Sequence, residues 1–289
     1  MAIARAASHT AQTNADDLPW LLPAGSPVWR RGLCTMAQPC LKQAQHTPRF
    51  LFQDATLLLI ASGRLDLDCG VDRISVDAGA ALLLVEANAC ADLIKTPGGT
   101  EQRFRSIFLT LSPELLEAFR RGRATGPESS QAAASFRSIP LDADLGSSLE
   151  HVLAGAAAPQ FSDERLRYRA MDLLAALAER GFAFRPLMSQ RMSGRLRALV
   201  SEAPHQHWTA QTAGKALAVS EATLHRRLAG ECARFEDVLI DVRMHHAMML
   251  MQTTSLSVPE IAQACGYRSR ARFAERFRAR FGYPPSAVR

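Results

Sequence analysis

The chain has 289 residues, of which 47% are hydrophobic and 21% are charged. These values exclude a disordered chain and allow two domains with sizeable cores. No apolar run approaches the roughly 20 residues that span a bilayer, and residues 1–20 lack the apolar stretch of a secretory signal. We therefore expect a cytoplasmic protein that is not bound to a membrane.

The net charge of +6 is unevenly distributed along the chain. Residues 191–289 contain fifteen Arg and Lys against eight Asp and Glu, whereas residues 1–190 contain nineteen against twenty. A basic C-terminal part joined to a near-neutral part indicates a polyanionic partner for the basic end. The Arg excess alone is weak evidence, because GC-rich genomes also favour Arg.

Six cysteines are scattered without a CxxC pair or zinc-ligand spacing: Cys34, Cys40, Cys69, Cys90, Cys232 and Cys265. In the cytosol this pattern predicts reduced thiols. We expect no metal and no cofactor.

The N-terminal half has the pattern of a small β-structure. Residues 1–45 show no clear period and predict a loosely ordered start followed by a strand or two. Residues 49–111 hold short β-type runs separated by glycines. Apolar and charged residues alternate over 64–69, and residues 80–85 are typical of a fully buried strand. Short strands at this spacing predict a sandwich or a barrel, with the series ending at Leu111.

The period becomes helical after this series. Ser112 suits the N-cap of a helix, and two amphipathic helices are predicted near 142–156 and 163–180. Residues 124–138 are rich in Gly, Ser and Ala and predict a loop. Residues 182–192 resemble a linker, after which we expect helices only.

An internal repeat with an offset of 49 residues lies in the basic part. Each copy has an Ala, a Ser seven residues later, and apolar residues four and eight positions after that Ser. The copies are Ala213, Ser220, Leu224 and Leu228, then Ala262, Ser269, Phe273 and Phe277. Small Ala allows two helices to cross closely, Ser caps the second helix, and the apolar residues form its buried face. We interpret each copy as a helix-turn-helix unit.

The second helix of each unit leaves a basic face exposed in this interpretation. The first offers His225, Arg226 and Arg227, and the second offers Arg268, Arg270, Arg272, Arg276, Arg278 and Arg280. Two helical hairpins with solvated Arg faces are the alternative. The matched spacing and the localised charge favour helices that enter the DNA major groove.

Residues 193–289 resemble the AraC/XylS family of bacterial transcription regulators. The second unit and its flanks match through Ile261, Ala262, Gly266, Tyr267, Phe273, Phe277, Phe281, Gly282, Pro285 and Arg289. The first unit matches through Trp208, Ser220, Leu224, Arg226 and Leu228. Between them, Arg243, Ala247 and Leu250 have the phase of the family's long connecting helix.

The resemblance implies two recognition helices in successive major grooves of double-stranded DNA. The residues it assigns to DNA are Ser220, Glu221, Ala222, His225, Arg226, Arg227, Arg268, Ser269, Arg270, Ala271, Arg272, Glu275 and Arg276. We expect base contacts from Arg226 and Arg270 and phosphate contacts from the other arginines.

Two positions depart from the family pattern. Glu275 stands where Arg is common, and three roles stay open: accepting from cytosine, repelling phosphate, or pairing with a neighbouring Arg. Thr212 stands where Leu is usual, so we expect weaker packing of the first unit.

The resemblance also implies the overall organisation. We expect an α+β protein with a cupin-like regulatory and dimerisation domain at 1–181, a linker at 182–192 and the DNA-binding domain at 193–289. A small effector would bind inside the β-barrel, and RNA polymerase is an expected partner of an activator in the nucleoid. The 163–180 helix is the candidate for a homodimer contact, with packing on the barrel as the alternative.

Two other interpretations concern the N-terminal domain. Control by a protein partner would show a filled barrel and an exposed apolar patch. A cupin enzyme needs clustered His ligands, whereas this segment offers only His46, so we expect no enzyme activity. The effector residues are not identified by sequence, although six polar residues are candidates for lining a pocket: Arg49, Asp54, Arg64, Asp66, Glu86 and Arg103.

Overall fold

The computed structural model describes residues 26–70, 72–79, 81–122, 134–185 and 191–288. They form a β-rich N-terminal part and a helical C-terminal part, which confirms the α+β class. In these ranges, no helix is long and apolar enough to cross a membrane. The predicted loop at 124–138 and linker at 182–192 lie partly outside the described residues, and Arg289 lies wholly outside them.

The described residues of the N-terminal part form two antiparallel sheets. Its strands are β1 (Val28–Arg30), β2 (Cys34–Ala37), β3 (Cys40–Leu41), β4 (Gln45–Phe52), β5 (Thr56–Ser62), β6 (Arg64–Asp68), β7 (Arg73–Asp77), β8 (Ala81–Val85), β9 (Ala89–Thr96), β10 (Phe104–Leu111) and β11 (Phe136–Pro140). The first sheet has the order β1-β2-β10-β5-β8-β11, with β3 also paired to β10. The second has the order β4-β9-β6-β7.

The first sheet lies between the second sheet and a layer of helices. Leu58 and Ile60 of β5 pack against the second sheet, whereas Leu57 and Leu59 pack against the helices. Burial on both faces explains why β5 is apolar at successive positions. The described strands of the two sheets pack face to face and do not close into one hydrogen-bonded barrel.

Three helices cover the outer face of the first sheet: α1 (Pro113–Arg121), α2 (Ala143–Ala157) and α3 (Asp163–Glu179). The Ser112 hydroxyl caps α1 as predicted, accepting from the Leu115 amide at 3.1 Å. The apolar stripe of α3, including Leu166 and Leu174, is buried in the core shared with α2 and the sheet. Packing on the β-structure therefore uses this stripe.

Strand β11 corrects the expectation that the β-series ends at Leu111. Phe136 to Pro140 pair with Val85 to Ala81 of β8, although this strand begins inside the segment predicted as a loop. The local composition favours a loop, but an edge of the first sheet supplies hydrogen-bond partners for an extended chain. Tertiary pairing overrides local preference here.

The C-terminal part consists of α4 (Met192–Glu202), α5 (Ala210–Ala216), α6 (Glu221–Gly230), α7 (Phe235–Thr253), α8 (Val258–Ala264) and α9 (Arg270–Phe281), followed by a 3-10 turn at Pro285–Ala287. Helix α7 contributes to two separate cores. Phe235, Val238 and Val242 pack with α4, α5 and α6, whereas Met244 and Met248 pack with α8 and α9. One long helix thus joins two compact units, as the family resemblance implies.

Candidate nucleic-acid interface and interdomain cavity

The first unit has the geometry that the repeat predicts. Ala213 of α5 is fully buried, and a Cβ on the adjacent Gly214 would lie only 2.9 Å from the carbonyl oxygen of Val219. The turn that leads into α6 therefore lies too close to position 214 for a larger residue. Ser220 caps α6 by accepting from the Thr223 amide at 3.2 Å, and Leu224 on the same helix is buried.

Thr212 does not simply weaken this unit. Its hydroxyl accepts from the Thr209 amide at 2.9 Å, while the Thr209 hydroxyl accepts from the Thr212 amide at 3.1 Å. This reciprocal pair is a capping box that fixes the first turn of α5. The Thr that replaces the usual Leu therefore stabilises the helix start.

The second unit repeats the arrangement. Ala262 of α8 is buried, Ser269 caps α9 by accepting from the Arg272 amide at 3.3 Å, and Phe273 and Phe277 are fully buried. Gly282 ends α9 with a left-handed φ of 86°, a conformation that suits glycine.

Arg243 of α7 holds the two units together. Its guanidinium donates to the carbonyls of Pro204 at 3.0 Å and Gln206 at 2.8 Å, next to the first unit. It also lies over the Tyr267 ring of the second unit, 5.6 Å from the centroid, and against Gly266. The Arg243 phase recognised in the sequence therefore corresponds to a bridge between the units.

All thirteen residues predicted to contact DNA are exposed. They lie on α6 and its N-cap, and on α9 and the two residues before it. Among the described residues, none of their six arginines forms an ion pair with a carboxylate. Glu221 and His225 approach each other at 3.9 Å on α6. Exposed cations without an internal partner are available to an external anion.

Glu275 is exposed on α9 and forms no ion pair with a described residue. Pairing with a neighbouring Arg, one of the three open roles, is therefore not observed in the DNA-free chain.

Arg280 corrects the expected basic face. Its side chain is only 14% exposed, because it points away from that face toward the N-terminal part. It forms an ion pair with Asp241 of α7 at 2.9 Å and donates to the carbonyls of Pro48 and Arg49 at 3.0 and 2.7 Å. Sequence phase did not reveal this, because the partners lie about 230 residues away.

Asp241 is the centre of this buried charge cluster. Burial alone would raise its pKa, but hydrogen bonds from His245, Arg280 and Arg197 outweigh that effect and hold the pKa well below its usual range. Asp241 is therefore ionised at neutral pH, and its negative charge holds the three partner side chains in place.

A cavity of about 180 Å³ lies between the β-structure and α7. Its N-terminal walls come from β1, β2, β4, β5, β9 and β10, and its C-terminal wall is mainly α7 with Met248, Met249 and Gln252. The lining is largely apolar, with a few polar groups, as in small-molecule sites. The cavity is thus lined by residues of both sheets and closed by α7, so it lies between the two parts of the chain.

Lys95 is the cationic group of the cavity. Its side chain is 3% exposed, and burial lowers its pKa to about 7. The ammonium donates to Gln252 Oε1 at 2.7 Å and lies 5.3 Å from the centre of the Phe108 ring. No described carboxylate forms an ion pair with Lys95.

Of the six polar residues proposed for the pocket, only Asp54 lines the cavity. Burial, with a smaller effect from Glu114, raises the pKa of Asp54 to about 6. Arg64 and Asp66 pair with each other near the surface, whereas Glu86 is buried against Arg137. The other two candidates, Arg49 and Arg103, do not line the cavity.

The sequence analysis missed Lys95, although β9 contains a signal for it. Ala89, Ala91 and Leu93 are buried at alternate positions, and Lys95 continues the same face. Strand parity alone places this cation inside. A lysine at one of the alternate positions that are otherwise apolar is the signal that would have identified it in the sequence.

Cys34 and Cys265 are buried free thiols, whereas Cys90 and Cys232 are exposed. The described residues contain no group of three His, Cys, Asp or Glu side chains arranged to hold a metal ion. Burial raises the pKa of Cys34 and of Cys265 to about 12, so both thiols stay protonated.

Comparison with known proteins gives a match for the helical part. Residues 213–289 match the helix-turn-helix domain family. The transcriptional regulator YdeO of Escherichia coli K12 is 36% identical over 97 residues, which cover 34% of this chain and 38% of YdeO. The urease operon transcriptional activator of Escherichia coli is 33% identical over 91 residues, covering 32% and 31%. The match thus spans about a third of the length of these relatives.

Solved structures extend the likeness to the whole fold. An apo form of ToxT from Vibrio cholerae superposes with a TM-score of 0.60 at 14% identity, covering 88% of this chain and 96% of ToxT. ToxT with a bound unsaturated fatty acid gives a TM-score of 0.58 at 14% identity, covering 90% and 96%. At this identity the likeness establishes the arrangement of β-rich and helical parts.

Proposed function

We propose that this chain, whose residues 213–289 match the helix-turn-helix domain family, is a sequence-specific DNA-binding transcription regulator of the AraC type. The observation that carries this proposal is the pair of Ser-capped helices, α6 and α9, whose exposed arginines form no ion pair with a carboxylate of the described residues. We assign it the role of activator, which is supported by the named activities of the urease operon activator and VirF of Shigella flexneri.

In this proposal, the N-terminal halves of α6 and α9 enter successive major grooves. Arg226 and Arg270 read guanine, because a guanidinium can donate two parallel hydrogen bonds to its O6 and N7. Ser220, Glu221, Ala222 and His225 line the same face of α6, and Ser269, Ala271 and Glu275 that of α9. Arg227, Arg268, Arg272 and Arg276 bind phosphates and fix the register of the protein on the duplex.

The test is selection of randomised duplex DNA by the full chain at two salt concentrations, followed by sequencing. We expect a motif with two blocks about 10 base pairs apart and an affinity that falls steeply as salt rises. No enrichment at either salt concentration would contradict the proposal and would leave two solvated helical hairpins as the interpretation.

We further propose that the interdomain cavity binds the effector, an apolar compound with one carboxylate. Lys95 supports this class, because a buried cation without an ion-paired carboxylate gains stability when an anion arrives. The bound unsaturated fatty acid of ToxT is consistent with such an effector. The cavity favours this mode over control by a protein partner, because among the described residues the large exposed apolar side chains, Trp29, Ile94 and Tyr168, lie on different elements.

Calorimetric titration of the full chain with decanoate tests the effector class, with 1-decanol as the uncharged control. We expect decanoate to bind more tightly than 1-decanol. Its affinity should fall as pH rises above about 7, where the free protein loses the Lys95 charge. Equal affinity for both compounds, or for decanoate at pH 6.5 and 8.5, would contradict an anion site at Lys95.

The remaining expectations follow from this function. The relatives are regulators, and we assign this chain no catalytic role. As an activator it would contact RNA polymerase and act on cytoplasmic DNA. We retain α3 as the homodimer contact, now through its outer face, where Tyr168 is 66% exposed, because its apolar stripe is already buried. The domain limits 1–181 and 193–289 remain part of this proposal.

A further inference from the structure

The C-terminal end of α9 is attached to the N-terminal part at one defined place. The register of β4 against β9 shifts between Thr47 and Phe50, so Pro48 and Arg49 have no partners in the ladder. Such a bulge turns backbone groups out of the sheet. The two terminal nitrogens of the Arg280 guanidinium donate to these carbonyls, at 3.0 Å for Pro48 and 2.7 Å for Arg49.

Arg280 is held in this place from the other side as well. Its Nε donates to Asp241 at 2.9 Å, and Asp241 is also paired with Arg197 of α4. A second bond lies nearby, from the Tyr283 hydroxyl to the carbonyl of His46 at 2.8 Å. The guanidinium thus joins β4, α7 and α9, and each of its three nitrogens has a partner within the chain.

His245 connects this attachment to the cavity. Its ring lines the cavity and packs edge-on against Phe50, with 5.0 Å between the centroids. Its Nε2 lies 3.2 Å from a terminal nitrogen of Arg280, and its Nδ1 lies 2.8 Å from the carbonyl oxygen of Asp241, both within hydrogen-bond distance. A ligand that displaces Phe50 or His245 therefore disturbs the hydrogen bonds of Arg280 directly.

We propose that Arg280 is a positioning residue that docks the second recognition helix onto the N-terminal domain, and that His245 transmits occupancy of the cavity to this dock. The dock itself follows from the contacts above. Its regulatory consequence rests on the proposed function, because only a DNA-binding α9 and an effector in the cavity give it an output. Arg280 differs in this role from Arg276, four residues earlier on the same helix and exposed.

The first test separates docking from DNA contact in the full chain. Affinity for a random 30-base-pair duplex is measured against salt for Arg280→Gln and for Arg276→Gln as the matched variant. Each lost phosphate contact lowers the slope of log affinity on log salt by about 0.9. We expect that loss for Arg276→Gln and an unchanged slope for Arg280→Gln. A slope that falls by the same amount for Arg280→Gln would overturn the docking role.

The second test is hydrogen exchange of the same full-length proteins without DNA. Arg280→Gln should speed exchange about tenfold in residues 45–52 and 278–283, because local opening of these segments no longer has to break the hydrogen bonds of Arg280. Arg276→Gln should leave both segments at the wild-type rate. If Arg280→Gln does not fold, Arg280→Lys keeps the charge with one nitrogen in place of three and should give a smaller increase. Wild-type rates in the folded variant would overturn the proposal.

The third test concerns the link to the cavity. His245→Phe keeps the ring contact with Phe50 but removes both hydrogen bonds. We expect faster exchange at 278–283, and in combination with Arg280→Gln no increase beyond that of Arg280→Gln alone, as for residues acting as a unit. Additive increases, or none for His245→Phe, would overturn the link. A wild-type chain that fails to bind any duplex would refute the proposed function. The exchange result would then decide by itself whether Arg280 attaches α9 to the N-terminal part.

Discussion

Replacing the buried lysine of the cavity, Lys95→Met, should make the protein more stable at neutral pH. Met has a similar length and no charge, so it fills the same space between β9 and α7 without the cost of burying an ammonium group. The unfolded chain holds the proton of Lys95 up to its ordinary pKa of 10.5, whereas the folded chain releases it above about 7. Burial of Lys95 therefore lowers the free energy of unfolding at neutral pH.

The magnitude follows from the two pKa values. The cost of burying Lys95, which is mainly the cost of releasing its proton on folding, is about 4 kcal/mol at pH 7 and about 2 kcal/mol at pH 9. The unfolded state binds more protons than the folded state between these pH values, so the wild type gains stability as pH rises. Against this gain, the variant leaves Gln252 Oε1 without its donor, which costs about 1–3 kcal/mol at any pH. The net stabilisation at pH 7 is about 1–3 kcal/mol.

The assay is urea unfolding of both proteins at pH 7 and pH 9, followed by circular dichroism. The advantage of Lys95→Met should shrink by about 2 kcal/mol between the two pH values, and this difference cancels the lost hydrogen bond. Lys42→Met, at an exposed lysine, should stay within about 0.5 kcal/mol of the wild type at both. An advantage that does not change with pH would refute the reasoning, since it would mean that Lys95 titrates as a solvated lysine.

Four further substitutions test other parts of the molecule. Arg226→Ala should cost about 1–3 kcal/mol on the selected duplex and relax preference at one base pair, and an equal loss on every sequence would rule out a base contact. Ser220→Ala should lower the free energy of unfolding by about 1 kcal/mol through loss of the α6 cap, and no change in urea unfolding would contradict the cap. Phe277→Ala should cost about 3–5 kcal/mol in the same measurement, because the ring is fully buried. Tyr168→Glu should convert a dimer to a monomer in sedimentation, so a wild-type monomer at all concentrations would contradict the α3 interface.

The helical part was predictable because its determinants are local. The Ser residues that cap α6 and α9, and the apolar residues four and eight positions later, lie within one helix each. Helix starts and buried faces follow from hydrogen bonds and contacts between residues close in sequence. The exposure of Arg226 and Arg270 follows from the same phase. Repetition of the pattern made a chance occurrence improbable and carried the functional interpretation.

The sequence by itself therefore determined the helix-turn-helix units, most of the strands and the residues facing outward from α6 and α9. Only the tertiary structure showed that β11 extends the first sheet, that Lys95 faces a cavity against α7, and that Arg280 leaves the basic face to hold a bulge in β4. The physical reason is separation along the chain: Lys95 and Gln252 lie 157 residues apart, and Arg280 and Pro48 lie 232 apart. No local period records which distant backbone or side chain will satisfy a buried cation, and packing of the two parts decides it.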